Sequence, residues 1–171
     1  MSAQALEAAA PGKRRIRVIR IGMLLCAAVL VAVDLAIKTM AEALLSDGST
    51  TDLGLINFRL LYNPGVAFSF GADLPAGVVI AVTGLIITAL IWYAVASAPA
   101  MSKFSRTGAT LLIGGALGNF IDRLDGHGVV DYLHTGWFAT FNLADVFVTV
   151  GVLLYAIGTL RAAPSRTAAE E

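Results

Sequence analysis

Four apolar stretches alternate with polar ones along the chain, over residues 21–45, 76–97, 107–124 and 141–160. Crossing a bilayer core takes roughly 20 apolar residues, and each stretch approaches or exceeds that. The first is broken only by Asp34 and Lys38. The second is uninterrupted, with Trp92 and Tyr93 near its end, where interfacial aromatics belong. The third is apolar until Asn119 and Asp122, and the fourth is apolar after Asn142 and Asp145. Those two polar ends face each other across residues 125–140. Residues 46–75 mix aromatic, β-branched and aliphatic positions around Asn63-Pro64-Gly65. They predict two short strands about a turn, apolar enough to lie on the outer surface of the bilayer. The pattern therefore predicts an all-α membrane protein of four transmembrane helices with a small extracytoplasmic β-containing segment. A single membrane domain is expected over 21–162, between polar tails at 1–20 and 163–171, with the last residues disordered.

Composition agrees with a membrane protein. The chain is 57% hydrophobic and 14% charged, against about 25% charged in soluble domains. Twelve basic and twelve acidic residues cancel, so the total carries no nucleic-acid footprint. Their distribution is more informative. Nine of the twelve Lys and Arg fall in the N-terminal tail, the connection between the second and third spans, and the C-terminal end. By the positive-inside rule both termini are cytoplasmic, and nine of the twelve acids then lie on the outer side. Lys13, Arg14, Arg15, Arg17 and Arg20 resemble the charged region of a secretory signal. The apolar run behind them is too long for a signal core, no small-x-small site closes it, and Leu25 before Cys26 is too bulky for lipoprotein processing. An uncleaved first span is expected. The lone Cys26 excludes an internal disulfide and is expected as a small buried hydrophobe.

Residues 114–145 gather Asp122, Asp125, Asp131 and Asp145 with Asn119 and Asn142 between two apolar runs. Asp145 and Asn142 share one face of the first turn of the fourth span, where the helix dipole favours a carboxylate. Asn142 also reads as a helix cap. Asp131 lies in a short apolar stretch between glycines, and Asp122 stands beside Arg123 at a helix end. Either can be the second acid of a catalytic pair with Asp145, and spacing does not choose. Asp34 and Lys38, one turn apart, read as a self-neutralising pair that orders the bundle or serves the site directly. His127, Asp131 and His134 lie close in sequence, but there is no HExxH helix and glycines leave that loop loosely fixed, so no metal is expected.

At these residues the chain resembles the lipoprotein signal peptidases (signal peptidase II), membrane aspartyl proteases of bacteria. The likeness runs through DLAIK (Asp34 to Lys38), NPGVAFSF (Asn63 to Phe70), GGALGNFIDR (Gly114 to Arg123), VVDY (Val129 to Tyr132) and FNLAD (Phe141 to Asp145). The resemblance implies that Asp131 and Asp145 are the catalytic dyad. It also implies that Asn63, Gly65, Asn119, Arg123 and Asn142 line the site, and that Asp34, Lys38 and Asp122 support it. The implied substrate is a prolipoprotein whose cleavage-site cysteine carries diacylglycerol, cut at the outer face of the bacterial inner membrane. The implied partners are those precursors and membrane lipids, with no cofactor and no nucleic acid, and the protein is expected as a monomer. Two departures stand out: Val66 replaces the first alanine of the family's N-x-G-A-A-F pattern, and the connection from Asp131 to Asp145 is short. Two rivals from other classes remain on the residues alone. A proton-coupled transporter would place its acids at mid-span; a non-enzymatic assembly factor would tolerate Asp-to-Asn changes.

Overall fold

The computed structural model describes residues 12–65 and 74–162. The expectations for residues 1–11 and 163–171 of the tails, for the second strand after Gly65 and for Val66 lie outside them; residues 13–20, expected as part of the N-terminal tail, are helical. Four long helices occur, α1 (Lys13–Leu45), α2 (Ala76–Ser97), α3 (Lys103–Arg123) and α4 (Leu143–Ala162), with three strands, β1 (Thr51–Asp52), β2 (Asn57–Asn63) and β3 (Val129–His134). Three of the helices, α1, α2 and α4, are long and apolar enough to cross a membrane. The expectation of four such spans meets a difference at α3, which carries Lys103, Arg106, Asp122 and Arg123 among many small residues. The packing explains this composition. Helix α3 packs against all three other helices and buries Gly108, Ala109, Ile113, Gly114, Gly115 and Gly118. A helix so covered by protein needs a small surface more than a greasy one.

Helix α1 has 33 residues, about 50 Å at 1.5 Å per residue, so it overruns a core of roughly 30 Å. Ser102 caps α3 by accepting the Ser105 N–H at 3.1 Å. Cys26 is exposed on α1, not buried as expected; it faces outward from the bundle, where a small thiol is as acceptable as alanine.

Close approach of α3 and α4 rests on paired small residues. A Cβ on Gly151 would lie 2.6 Å from the backbone nitrogen of Leu112 and 2.8 Å from the Gly108 carbonyl. Inside a bilayer, burial of apolar surface gives little drive to helix pairing, so such backbone contact carries the association. A second cluster joins Met23 and Ala27 of α1 to Ala94, Ala109 and Ile113. At this end of the bundle the basic residues collect: Arg20 reaches the Ala96 carbonyl at 3.4 Å, and Arg161 stacks over Phe104 at 5.3 Å.

The sheet caps the opposite end. Its order is β1-β2-β3, all antiparallel. Only β1 and β2 come from the segment expected to hold strands; the turn joining them falls at 53–56, while Asn63 ends β2. The third strand comes from the connection before α4, which reads as a loop because glycines bracket it. One face of that strand is covered by α1, through Val130, Tyr132, Ala41 and Leu45. Gly128 leads into β3 with φ 95°, and a Cβ there would lie 2.5 Å from the Asn63 carbonyl oxygen.

The α3–α4 seam generates a prediction. Gly151→Leu should lower stability by about 1–3 kcal/mol through overpacking, read as a drop in melting temperature in detergent. Gly77→Ala, where nothing lies within 4 Å of the added carbon, should leave it unchanged or slightly raised. Equal behaviour of the two variants would refute the close-packed seam.

Candidate active site

The site is built around the start of α4. The first amide groups of a helix have no partner within it, and here each finds one elsewhere. The Leu143 N–H donates to the Tyr132 hydroxyl at 3.2 Å. The Ala144 N–H donates to Asp34 Oδ1 at 2.9 Å, and the Asp145 N–H donates to Asn142 Oδ1 at 3.0 Å. In return the Asn142 N–H donates to Asp145 Oδ2 at 3.1 Å. This is a reciprocal capping box. The cap reading of Asn142 and the site reading of Asp145 therefore describe the same atoms.

Asn142 also turns outward from the cap. Its Nδ2 donates to Asp131 Oδ1 at 2.7 Å and to Asn119 Oδ1 at 3.1 Å. Asn119 Nδ2 donates to Asp145 Oδ1 at 2.8 Å. Asp131 is held from its other side by Asn63 Nδ2, at 3.2 Å from Oδ2. Asn142 thus touches both carboxylates, one through its backbone and the other through its side chain. Asp131 is 1% exposed and Asn142 fully buried.

Behind this pair sits a cation. Lys38 Nζ lies 2.8 Å from each of Asp34 Oδ2, Asp122 Oδ2 and Asn119 Oδ1. An ammonium has three N–H groups, and each has an acceptor. Asp34 and Lys38 are not a closed pair, as i, i+4 spacing suggested; Asp122 is the third member. Asp122 Oδ2 also accepts the Val130 N–H at 3.2 Å, tying α3 to β3. Its Oδ2 is taken by these contacts, while Asp131 faces the amides beside Asp145. Gly118 makes room for Asp34, since a Cβ there would lie 2.5 Å from Oδ2. Arg123 donates through Nη1 to the Asn119 carbonyl at 2.7 Å and through Nη2 to the Gly65 carbonyl at 2.6 Å. Gly65 in turn donates its N–H to Asn63 Oδ1 at 3.1 Å. All ten residues singled out from the sequence are connected by these contacts.

Two others were not foreseen as partners. Tyr132 was visible only as part of VVDY, and Ala144 contributes a backbone amide that leaves no trace in residue type. The asparagine-x-x-aspartate spacing at 142–145 was the signal for the capping box. Asp125 stays apart: it accepts the His127 N–H at 2.9 Å in an exposed turn. Among the described residues, no three His, Cys, Asp or Glu side chains come together as metal ligands.

Burial pushes the Asp131 carboxyl up to about 6, and the neighbouring Asp145 charge adds to that; the Asn63 and Asn142 amides and Lys38 pull the other way. Tyr132 is pushed up to about 12, mainly by burial, so its hydroxyl stays neutral at working pH.

The comparisons with known proteins decide what such an arrangement belongs to. The family model described as Signal peptidase (SPase) II matches residues 26–161. The chain belongs to the signal peptidase II family. A relative from Bartonella tribocorum named lipoprotein signal peptidase is 42% identical over 120 residues, covering 65% of this chain and 71% of its own. One from Brucella ovis, of the same name, is 42% identical over 127 residues, covering 71% and 78%. Two solved bacterial membrane enzymes superpose with TM-scores of 0.72 and 0.71 at 26% and 28% identity, covering 88% and 83% of this chain and 94% of each of theirs. The chain is accordingly a peptidase, and a multi-pass membrane protein.

Protonation of Asp131 generates a test. Its folded value is raised above the unfolded 3.8, so the folded state holds the extra proton between the two. The stability it contributes is full below about 4 and is lost as pH rises through about 6. Wild type should therefore melt at falling temperature across that window, and Asp131→Asn should lack this component. An undiminished slope in the variant would assign the proton to another group.

Proposed function

We propose that this peptidase removes the signal peptide from diacylglyceryl-modified prolipoproteins, cleaving just before the lipidated cysteine, with Asp131 and Asp145 as its catalytic pair. The observation that carries the reading is Asn142, which holds both carboxylates beside the amide-rich start of α4. The family's relatives named lipoprotein signal peptidase support the substrate class.

Hydrolysis of a peptide by two carboxylates needs one to take a proton from water and the other to give one to the leaving amine. Two close carboxylates do not both ionise cheaply, so one of the two holds a proton. Asp131, buried and pushed up to about 6, is the proton holder. Asp145 is the base that polarises the water. The roles exchange as the tetrahedral intermediate collapses, when Asp131 protonates the amine and Asp145 carries the proton taken from water. Asn119 and Asn142 fix the ionised oxygens. Asn63, Gly65 and Arg123 form the wall that the peptide backbone passes.

Four helices crossing the bacterial inner membrane with both termini cytoplasmic fit the same reading. The basic contacts of Arg20 and Arg161 collect at one end of the bundle, and the acids at the other. This supports a pair at the outer interface, where a diacylglyceryl anchor would hold the scissile bond. Both carboxylates come from one chain, which supports action as a monomer. Acids collected at one end, rather than along the spans, do not form a proton relay.

Asp131→Asn and Asp145→Asn should each cut cleavage of a lipidated precursor by at least about a hundredfold while the protein accumulates normally. Purified enzyme and a gel-shift assay of precursor processing measure this. A variant with near-normal turnover would remove that residue from the pair.

A further inference from the structure

Two loops end the sheet in apolar, charge-free tips. The β1–β2 turn carries Leu53, Leu55 and Ile56, exposed by 66%, 89% and 43%, and the loop after β3 carries Trp137 and Phe138, exposed by 84% and 40%. Residues 53–56 and 135–141 contain no charged side chain, while Asp52, Arg59 and His134 stand just behind them. The register puts both tips at one end of the sheet, because Asn57 pairs with His134. Further along the same strands Leu61 faces Asp131 and Asn63 faces Val129, so the carboxylates stand back from the tips within the sheet.

An aromatic row joins the tip to the site. Trp137 meets Phe138 edge-on at 5.6 Å, and Phe138 meets Phe141 edge-on at 6.0 Å. Phe141 is bonded to β3 through Leu133, N–H to carbonyl in both directions at 2.8 and 3.0 Å. It immediately precedes Asn142, which touches both carboxylates. Packed rings and a backbone ladder thus join the tip to the cap of α4.

We propose that these tips insert into the headgroup–acyl boundary of the outer leaflet and set the depth of the carboxylate pair relative to it. Tryptophan favours that boundary, having an apolar body and one N–H to satisfy. The lipid occupant is favoured by continuity: the last turn of α1 exposes Leu44 by 70%, seven residues before β1, so the sheet follows directly on a helix end with an outward apolar face. The inference rests on the outward-facing orientation proposed above and goes beyond it, because it assigns the enzyme a second, extramembrane contact with lipid.

The chain has two tryptophans, so Trp92→Phe leaves Trp137 as the only one. The full-length variant is placed in nanodiscs of phosphatidylethanolamine and phosphatidylglycerol, brominated either near the headgroup or near the chain ends. The expected result is blue-shifted emission, weak quenching by iodide, and quenching by the shallow bromines at least about twofold stronger than by the deep ones. Free quenching by iodide with none by either lipid would overturn the proposal. So would protection that arises only when precursor is added, since the loop would then contact substrate. This readout needs no cleavage, so it stands or fails apart from the peptidase reading. In a second arm, the Leu55→Asp/Trp137→Asp double variant should lose about tenfold in kcat/KM on vesicle-embedded precursor, with turnover of a short lipopeptide in detergent micelles unchanged. Equal loss on both substrates, or on neither, contradicts the depth-setting role.

Discussion

The buried Lys38 ammonium is the contact on which the arrangement depends. It is 2% exposed and reaches acceptors on α1 and α3. Leaving one ionised group inside an apolar bundle costs several kcal/mol, so its acceptors are fixed as firmly as the charge itself. Each acceptor also holds something else. Asp34 takes the Ala144 N–H, Asp122 takes the Val130 N–H, and Asn119 donates to Asp145. One cation thereby ties α1, α3, β3 and α4 together, two hydrogen bonds from Asp145 and three from Asp131.

The second constraint is the start of α4. Its free amide groups make a positive region at the edge of the apolar bundle, and a tyrosine, an aspartate and an asparagine fill the first three. Asp145 closes the box by accepting from Asn142. A carboxylate in such a box has little rotamer freedom, which suits the water-orienting role proposed for it. Asp131 has the contrasting surroundings: a strand position, deep burial and two amide donors. Two acids of the same type are thus given different environments, as the proposed division of roles between them requires.

Much of this was legible in the sequence because membrane burial makes polar residues conspicuous. Asp34 and Lys38 stand out in an otherwise apolar run, and Asn119, Asp122, Asn142 and Asp145 mark the ends of two more. Apolar runs located the helices, but not their partners. Nothing in residues 114–145 distinguishes Asp122, bonded to Lys38, from Asp131, since the choice depends on a strand pairing between segments nearly seventy residues apart. β3 itself was hidden because its glycines signal a turn and its pairing is supplied by β2. Helix α3 read as an ordinary span; its small residues are the record of close packing against three neighbours. The exposure of Cys26 shows the converse limit, since an apolar run does not say which of its faces meets lipid.

The claim that a shared cation positions the carboxylate pair is tested most directly by Lys38→Met, which keeps the side chain's length and removes its charge. Turnover of a lipidated precursor is measured per mole of folded, membrane-extracted enzyme. The account predicts a fall of at least about tenfold, because Asn119 and Asp34 lose the charge that orients them, although Lys38 touches neither Asp131 nor Asp145. Wild-type turnover in folded Lys38→Met enzyme would contradict it.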